Sequence, residues 1–92
     1  MGKAVVTLKI MPASPDVDLK VLEQKALQEI HTFTKNKDTK TEIEPIAFGL
    51  SALKIIFVMD EMQGSPDPVA EKVATFPHVS SAEIVDVRRA IG

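Results

Sequence analysis

Four short stretches rich in hydrophobic residues predict β-strands. The stretches cover residues 4–11, 42–47, 52–59 and 81–89. In the first, Val6, Leu8 and Ile10 share one face, and the third is nearly all apolar, which is typical of a central strand. The second contains Pro45, which cannot donate a ladder hydrogen bond, so we expect it at a sheet edge. In the fourth we place Val85 and Val87 on one face and Ile84 on the other.

Two further stretches carry apolar residues at intervals of three and four, which predicts amphipathic helices. The first helix, of roughly 15 residues, is predicted after residues 14–18, where Ser, Pro and Asp occupy positions typical of helix starts. Its apolar stripe consists of Leu19, Leu22, Ala26, Ile30 and Phe33. The second helix opens at residues 65–68 and ends before Pro77. Its inner stripe consists of Val69, Ala70, Val73 and Phe76. Between the first helix and the second strand, residues 34–41 are predicted to form a solvated loop.

The predicted order of elements is β-α-β-β-α-β, which indicates an α+β fold of the ferredoxin-like type. That topology has a four-stranded antiparallel sheet in the order 4-1-3-2, with both helices on one face. It places the strand that contains Pro45 at an edge and the apolar third strand in the centre, in agreement with both sequence features. Residues 1–92 are expected to form a single domain.

A Gly-containing turn joins the second and third strands. Gly49 can adopt a positive φ at little steric cost, so it is suited to reversing the chain. Phe48, one of only four aromatic residues in the protein, stands beside this glycine. Phe48 could belong to the core, or it could be exposed for contact with a partner.

The overall composition excludes several classes of function. With 45% hydrophobic and 26% charged residues the chain is ordinary for a globular protein. A net charge of −2 provides no global basic field, so we expect no direct binding of nucleic acid. The absence of cysteine excludes disulfides and thiolate chemistry. No apolar run is long enough to span a bilayer, and we expect a cytoplasmic protein without membrane contact.

No arrangement of residues in the sequence points to catalysis. His31 and His78 have no carboxylate or second histidine at metal-ligand spacing, and the acidic pairs have no nucleophile near them. The four glycines are scattered, so there is no phosphate-binding loop. We therefore predict a protein that is not an enzyme and that has no cofactor or metal site of its own.

Two binding functions are common for this topology, and the sequence can be searched for the residues that each requires. RNA recognition needs outward-facing aromatic residues on the two central strands, and only Phe57 is found there. A small-molecule-binding regulatory module stays open as an alternative, because such modules leave no sequence motif.

The two arginines of the chain are adjacent, Arg88 and Arg89, near the end of the fourth strand. Charge on an edge strand protects it against aggregation. Adjacent arginines are equally typical of a cationic tip that binds phosphate or acidic groups of a partner. Both interpretations stay open at the level of the residues.

Residues 46–53, with the sequence Ile-Ala-Phe-Gly-Leu-Ser-Ala-Leu, resemble the Phe-Gly turn of the elongation factor 1-beta family in its short archaeal form. The opening strand that ends in Pro12 and the segment of residues 79–84 before the basic terminus support the resemblance, which extends from Val5 to Arg89. The resemblance implies a ferredoxin-like fold. It also implies a guanine-nucleotide exchange factor for elongation factor 1-alpha, the GTPase that delivers tRNA, without covalent chemistry.

The resemblance also implies which residues contact the GTPase. In the family, a phenylalanine at the hairpin and a basic residue near the C-terminus make these contacts, and the basic side chain reaches toward the Mg²⁺ site of the nucleotide. The corresponding residues here are Phe48, with its neighbours Gly49 and Leu50, and the pair Arg88 and Arg89. Arg89 stands where eukaryotic members have a lysine. GDP, GTP and Mg²⁺ are then bound by the partner and not by this chain.

Overall fold

The computed structural model describes residues 2–35 and 38–90. The strands are β1 (Lys3–Pro12), β2 (Thr39–Pro45), β3 (Ser51–Asp60) and β4 (Val79–Ala90). The α-helices are α1 (Leu19–Thr34), between β1 and β2, and α2 (Asp67–Ala74), between β3 and β4. A short 3-10 helix, Glu61–Gln63, follows β3 directly. The predicted order β-α-β-β-α-β is confirmed.

The four strands form one sheet in the order β2-β3-β1-β4, and every neighbouring pair is antiparallel. This is the predicted ferredoxin-like order, read from the opposite edge. The helices lie over one face of the sheet, where the apolar side chains of the strands and helices form a single core. The largest fully buried side chains include Phe57, Leu8, Ile10 and Ile30. No helix within the described ranges is long and apolar enough to cross a membrane.

The helix starts follow the local sequence. The Asp18 side chain caps α1 by accepting a hydrogen bond from the backbone N–H of Lys20 at 3.0 Å, which satisfies one of the free donors of the first turn. At α2 the Ser65 hydroxyl accepts from the backbone N–H of Asp67 at 3.1 Å. The Ser-Pro-Asp triplets at residues 14–16 and 65–67 thus stand shortly before α1 and at the start of α2, and Asp18, which follows the first triplet, provides the cap of α1.

Several predicted boundaries were wrong, and β2 ends at Pro45 instead of at residue 47. β2 begins at Thr39 and not at residue 42, because Thr39 and Thr41 pair with Phe57 and Ile55 of β3 and complete that ladder. The predicted loop of residues 34–41 is correspondingly shorter, and its residues 36 and 37 lie outside the described ranges. α2 ends at Ala74, so Phe76 follows the helix and packs against the core from the next turn.

A β-bulge in β4 overturns the predicted facing of its side chains. Thr7 and Leu8 are consecutive on β1, but their partners Asp86 and Ile84 are separated by Val85. An extra residue of this kind shifts the alternation along the bulged strand. Val87 consequently pairs with the core residue Val6 and shares the helix-facing side with Ile84, instead of opposing it.

Candidate functional site

The connection between β2 and β3 contains a tight β-turn over residues 47–50. The backbone N–H of Leu50 donates to the carbonyl of Ala47 at 3.2 Å, and the N–H of Ile46 donates to the carbonyl of Leu50 at 2.8 Å. The two central residues, Phe48 and Gly49, have φ values of 60° and 78°. Positive φ at both central positions is the pattern of a type I′ turn, whose twist matches that of the flanking strands. The predicted positive φ of Gly49 is confirmed.

Phe48 is in an unfavourable conformation and is almost fully exposed. The left-handed region costs an L-residue about 1–2 kcal/mol, and this position of the turn normally holds Asn, Asp or Gly. The side chain of Phe48 is 96% exposed, so burial does not offset that cost. The first of the two interpretations of Phe48, a core residue, is therefore wrong. Its conformation and exposure are both costs to the isolated protein.

The base of this turn lies near the segment between β1 and α1. Gly49 and Ser51 line a small cleft of about 60 Å³ together with Pro12, Ser14 and Pro15 of that segment. Leu50 is half-buried. The ring of Phe48 thus projects from a short hydrogen-bonded turn and does not belong to a long loop.

The two arginines lie at the other end of the sheet and on different faces of it. Arg88 pairs with Val5, whereas Arg89 pairs with the core residue Ala4, so Arg88 lies on the face without helices and Arg89 on the helix-facing side. Arg88 donates from Nε to Oδ2 of Asp86 at 2.9 Å. Both arginine side chains are more than three-quarters exposed, at 79% and 78%.

Arg89 is held by a residue that the sequence analysis did not assign to the site. Its Nε donates to Oε1 of Glu61 at 2.8 Å, and its Nη2 donates to Oε2 at 3.4 Å. Glu61 is in turn fixed beside Gly2, since its backbone N–H donates to the Gly2 carbonyl at 3.0 Å. A Cβ at Gly2 would stand 2.6 Å from the Glu61 carboxylate, so the two residues are in close contact. Adjacent acidic residues after a strand were the only sequence signal, and that pattern alone does not identify a partner for Arg89.

The structure does not bring all the predicted contact residues together. Ala4 is opposite Arg89, and Ile10, six residues further along β1, is opposite Leu53 of β3. At about 3.3 Å per residue this separation is already about 20 Å, and Phe48 lies beyond Leu53 at the end of the hairpin. Phe48, Gly49 and Leu50 therefore form one group, and the two arginines form another at the opposite end of a molecule 42 Å long.

An ion cluster lies on the face of the sheet without helices. Oε2 of Glu44 is 3.0 Å from Nζ of Lys54, and Oε1 is 3.5 Å from Nζ of Lys9. The hydrogen bond and positive charge of Lys54, with a smaller contribution from Lys9, hold the pKa of Glu44 below its ordinary value. The cluster joins β2, β3 and β1. It could not be found from sequence spacing, because it depends on the register of three strands.

An open groove of about 360 Å³ lies beside the start of α1, lined by the apolar residues Val17, Val21, Leu22 and Pro77 and by the polar residues Ser14, Asp16, Asp18, Lys25 and His78. No polar or charged residue of the described chain is buried. The groove therefore lacks the fixed, buried hydrogen-bonding groups that orient small ligands in most binding sites. Within the described residues, no group of three His, Asp or Glu side chains could hold a metal ion.

Comparison with known proteins connects these features to a family. The family model of the EF-1 guanine nucleotide exchange domain matches residues 5–90. The chain is 46% identical over 89 residues to the elongation factor 1-beta of Methanobrevibacter smithii, which covers 97% of this chain and 98% of that protein. It is 40% identical, with the same coverage, to the elongation factor 1-beta of Methanothermobacter thermautotrophicus. A solved structure described as BlrP1 BLUF superposes on the whole chain and on 57% of its own length, with a TM-score of 0.57 and 9% identity, which shows a common fold alone.

Proposed function

The chain belongs to the elongation factor 1-beta family, and we propose a specific partner and reaction for it. Because the matching domain is a guanine nucleotide exchange domain, its role is that of an exchange factor in translation elongation. The proposed partner is elongation factor 1-alpha, the GTPase that delivers tRNA. The proposed reaction is the release of GDP from this GTPase, which allows GTP to be reloaded.

The observation that carries the proposal is the state of Phe48. Its backbone has a φ of 60° and its side chain is 96% exposed, so the residue costs stability in the isolated chain. Strained residues of this kind persist mainly where they serve function. An aromatic ring on a short hydrogen-bonded turn loses little side-chain freedom when it enters a pocket. Aromatic residues also dominate the binding energy of many interfaces. We assign Phe48 to a hydrophobic pocket of the GTPase, with Gly49 and Leu50 beside it.

The two arginines provide the second contact. Mg²⁺ neutralises phosphate charge and is usually held by one or two protein carboxylates together with phosphate oxygens and water. A guanidinium placed beside this ion competes with it for the phosphate and acidic groups. Arg88 and Arg89 are exposed, and each is paired with one carboxylate of this chain. In the proposed complex one of them exchanges that carboxylate for an acidic or phosphate group at the Mg²⁺ site.

Exchange by this route needs no covalent step by this chain. A protein that binds the nucleotide-free GTPase more tightly than the Mg²⁺–GDP form must weaken GDP binding by the same factor. The nucleotide and the metal belong to the partner throughout, and we place the reaction in the cytoplasm, where translation elongation occurs. The alternative of a small-molecule-binding module depends on the groove beside α1, which has no buried polar group among the described residues.

The proposal is tested by the release of labelled GDP from a related archaeal elongation factor 1-alpha. The wild-type chain should accelerate release, and Phe48→Ala should lose at least about tenfold of that acceleration, since the ring is assigned as a central anchor. Val21→Ala is the control, because Val21 is also apolar and 48% exposed but lies on α1, in neither group of proposed contact residues. Equal rates for the Phe48 and Val21 variants would contradict the proposed role of the ring.

A further inference from the structure

One face of the sheet has no covering element in the described chain. It is formed by alternate residues of the two central strands, with Val5 opposite Val58, Thr7 opposite Ile56 and Lys9 opposite Lys54. We call this surface the open face. All six side chains are half-exposed, whereas their neighbours in sequence on the other side are buried under the helices. Val5, Ile56 and Val58 therefore give the open face an apolar, partly accessible centre, with the two lysines at one end.

Phe48 and Arg88 stand at diagonally opposite corners of the open face, whereas Arg89 lies on the helix-facing side. The turn that carries Phe48 joins edge strand β2 to β3 at one end. Arg88 lies on the opposite edge strand, β4, at the other end, and it is on the open face because it is opposite Val5. A single globular partner that touches both corners must cross the sheet, and the helices occupy the other side.

We propose that the open face is the main docking surface for the same GTPase. This inference depends on the proposed function, and it identifies the surface that the partner covers between Phe48 and Arg88. Val5, Ile56 and Val58 form an apolar centre, with the cluster of Lys9, Lys54 and Glu44 toward the Phe48 end and the Asp86–Arg88 pair beside it on β4. An apolar centre within a polar rim is the usual anatomy of a protein–protein interface.

The size of the open face is consistent with one partner. β1 has 10 residues, so the face is about 30 Å long, and four strands spaced about 4.8 Å apart give it an area of roughly 500 Å². Standard interfaces bury about 800 Å² on each partner, and the projecting turn of Phe48 supplies additional area. The face alone is small for a stable interface, which is consistent with a contact that also includes both corners.

Nucleic acid is a poorer fit to this surface. Single-stranded nucleic acid stacks its bases on exposed aromatic rings. The one aromatic residue of the central strands, Phe57, is 1% exposed and belongs to the core. Lys9 and Lys54 of this face are paired with Glu44, so the face presents no continuous positive stripe.

A lysine at the centre of the open face tests the inference. Ile56→Lys should raise the concentration of exchange factor that gives half-maximal GDP release by about tenfold or more, because the charge would be buried against the partner. The maximal rate should change little, since Phe48 and the arginines are retained. Thr7→Lys, at the residue opposite Ile56, is a second variant at a more polar position and should have the same effect. Val21→Lys is the control, because Val21 is apolar and 48% exposed on α1, away from this face.

The possible results separate the two proposals. If wild type accelerates release and both open-face variants behave like Val21→Lys, with unchanged thermal melting, the open face is not the docking surface although the proposed function stands. If wild type forms a dimer in sedimentation and Thr7→Lys dissociates it, a second copy covers the face and the inference is wrong. If wild type itself does not accelerate release, the proposed function fails and the open face loses its assigned partner. Loss of affinity in either folded open-face variant, with the control unchanged, supports the inference.

Discussion

Replacement of Phe48 by asparagine should make the protein more stable and less active at the same time. Phe48 has a φ of 60°, which costs an L-residue about 1–2 kcal/mol, and asparagine tolerates this region far better than a bulky side chain. The ring is 96% exposed, so its removal sacrifices almost no buried area. We expect Phe48→Asn to raise the free energy of unfolding by about 1 kcal/mol, which corresponds to a Tm increase of about 4–8 °C in a domain of this size.

Phe48→Ala provides the matched comparison. Alanine removes the ring but retains a Cβ, so the backbone strain should persist and the stability should stay near that of wild type. Both variants should lose the acceleration of GDP release, because both lack the aromatic anchor. Urea denaturation followed by circular dichroism gives the stabilities, and release of labelled GDP gives the activities. An asparagine variant no more stable than the alanine variant would refute the strain argument, and an asparagine variant with wild-type activity would refute the anchor.

Three further predictions follow from the same structure. Gly49→Ala should lower the free energy of unfolding by about 1 kcal/mol in urea denaturation, because the φ of Gly49 is 78°. Beyond the neighbouring residues no atom lies within 4 Å of an added Cβ, so this cost comes from the backbone conformation and not from a clash. Arg88→Ala and Arg89→Ala, measured separately, should slow GDP release to different extents because the two side chains lie on different faces, and equal losses would contradict that distinction. The pKa of Glu44 is lowered in the folded state, so its ionised form stabilises the fold at pH values above the ordinary pKa of 4.5. This stabilisation is lost as the pH falls through the lowered pKa. The stability difference between wild type and Glu44→Gln should therefore disappear in acid, as measured by melting at a series of pH values.

The fold could be predicted from the sequence because several local signals agree on one topology. Pro45 excluded the second strand from the sheet centre, and the apolar third strand favoured a central position. The two Ser-Pro-Asp triplets marked both helix starts. The boundary errors at β2 and α2 came from tertiary pairing: Thr39 is a strand residue because Phe57 lies opposite, and no local propensity records that contact.

The site was less accessible to sequence reasoning. Phe48 could be identified as unusual beside Gly49, but its strain and exposure depend on the turn geometry. The bulge at Val85 could not be foreseen from alternation, and it determines which face of the sheet each of the two arginines takes relative to the residues before the bulge. Glu61 is brought to Arg89 by strand pairing across 28 positions of sequence, a distance over which residue spacing carries no information.

The central claim is that this chain accelerates nucleotide exchange through the ring of Phe48. The most direct measurement is the rate of labelled GDP release from archaeal elongation factor 1-alpha with increasing amounts of wild type, Phe48→Asn or Val21→Ala. We predict a saturable acceleration by wild type and Val21→Ala and at least about tenfold less by the more stable Phe48→Asn. No acceleration by wild type, or equal acceleration by all three proteins, would contradict it.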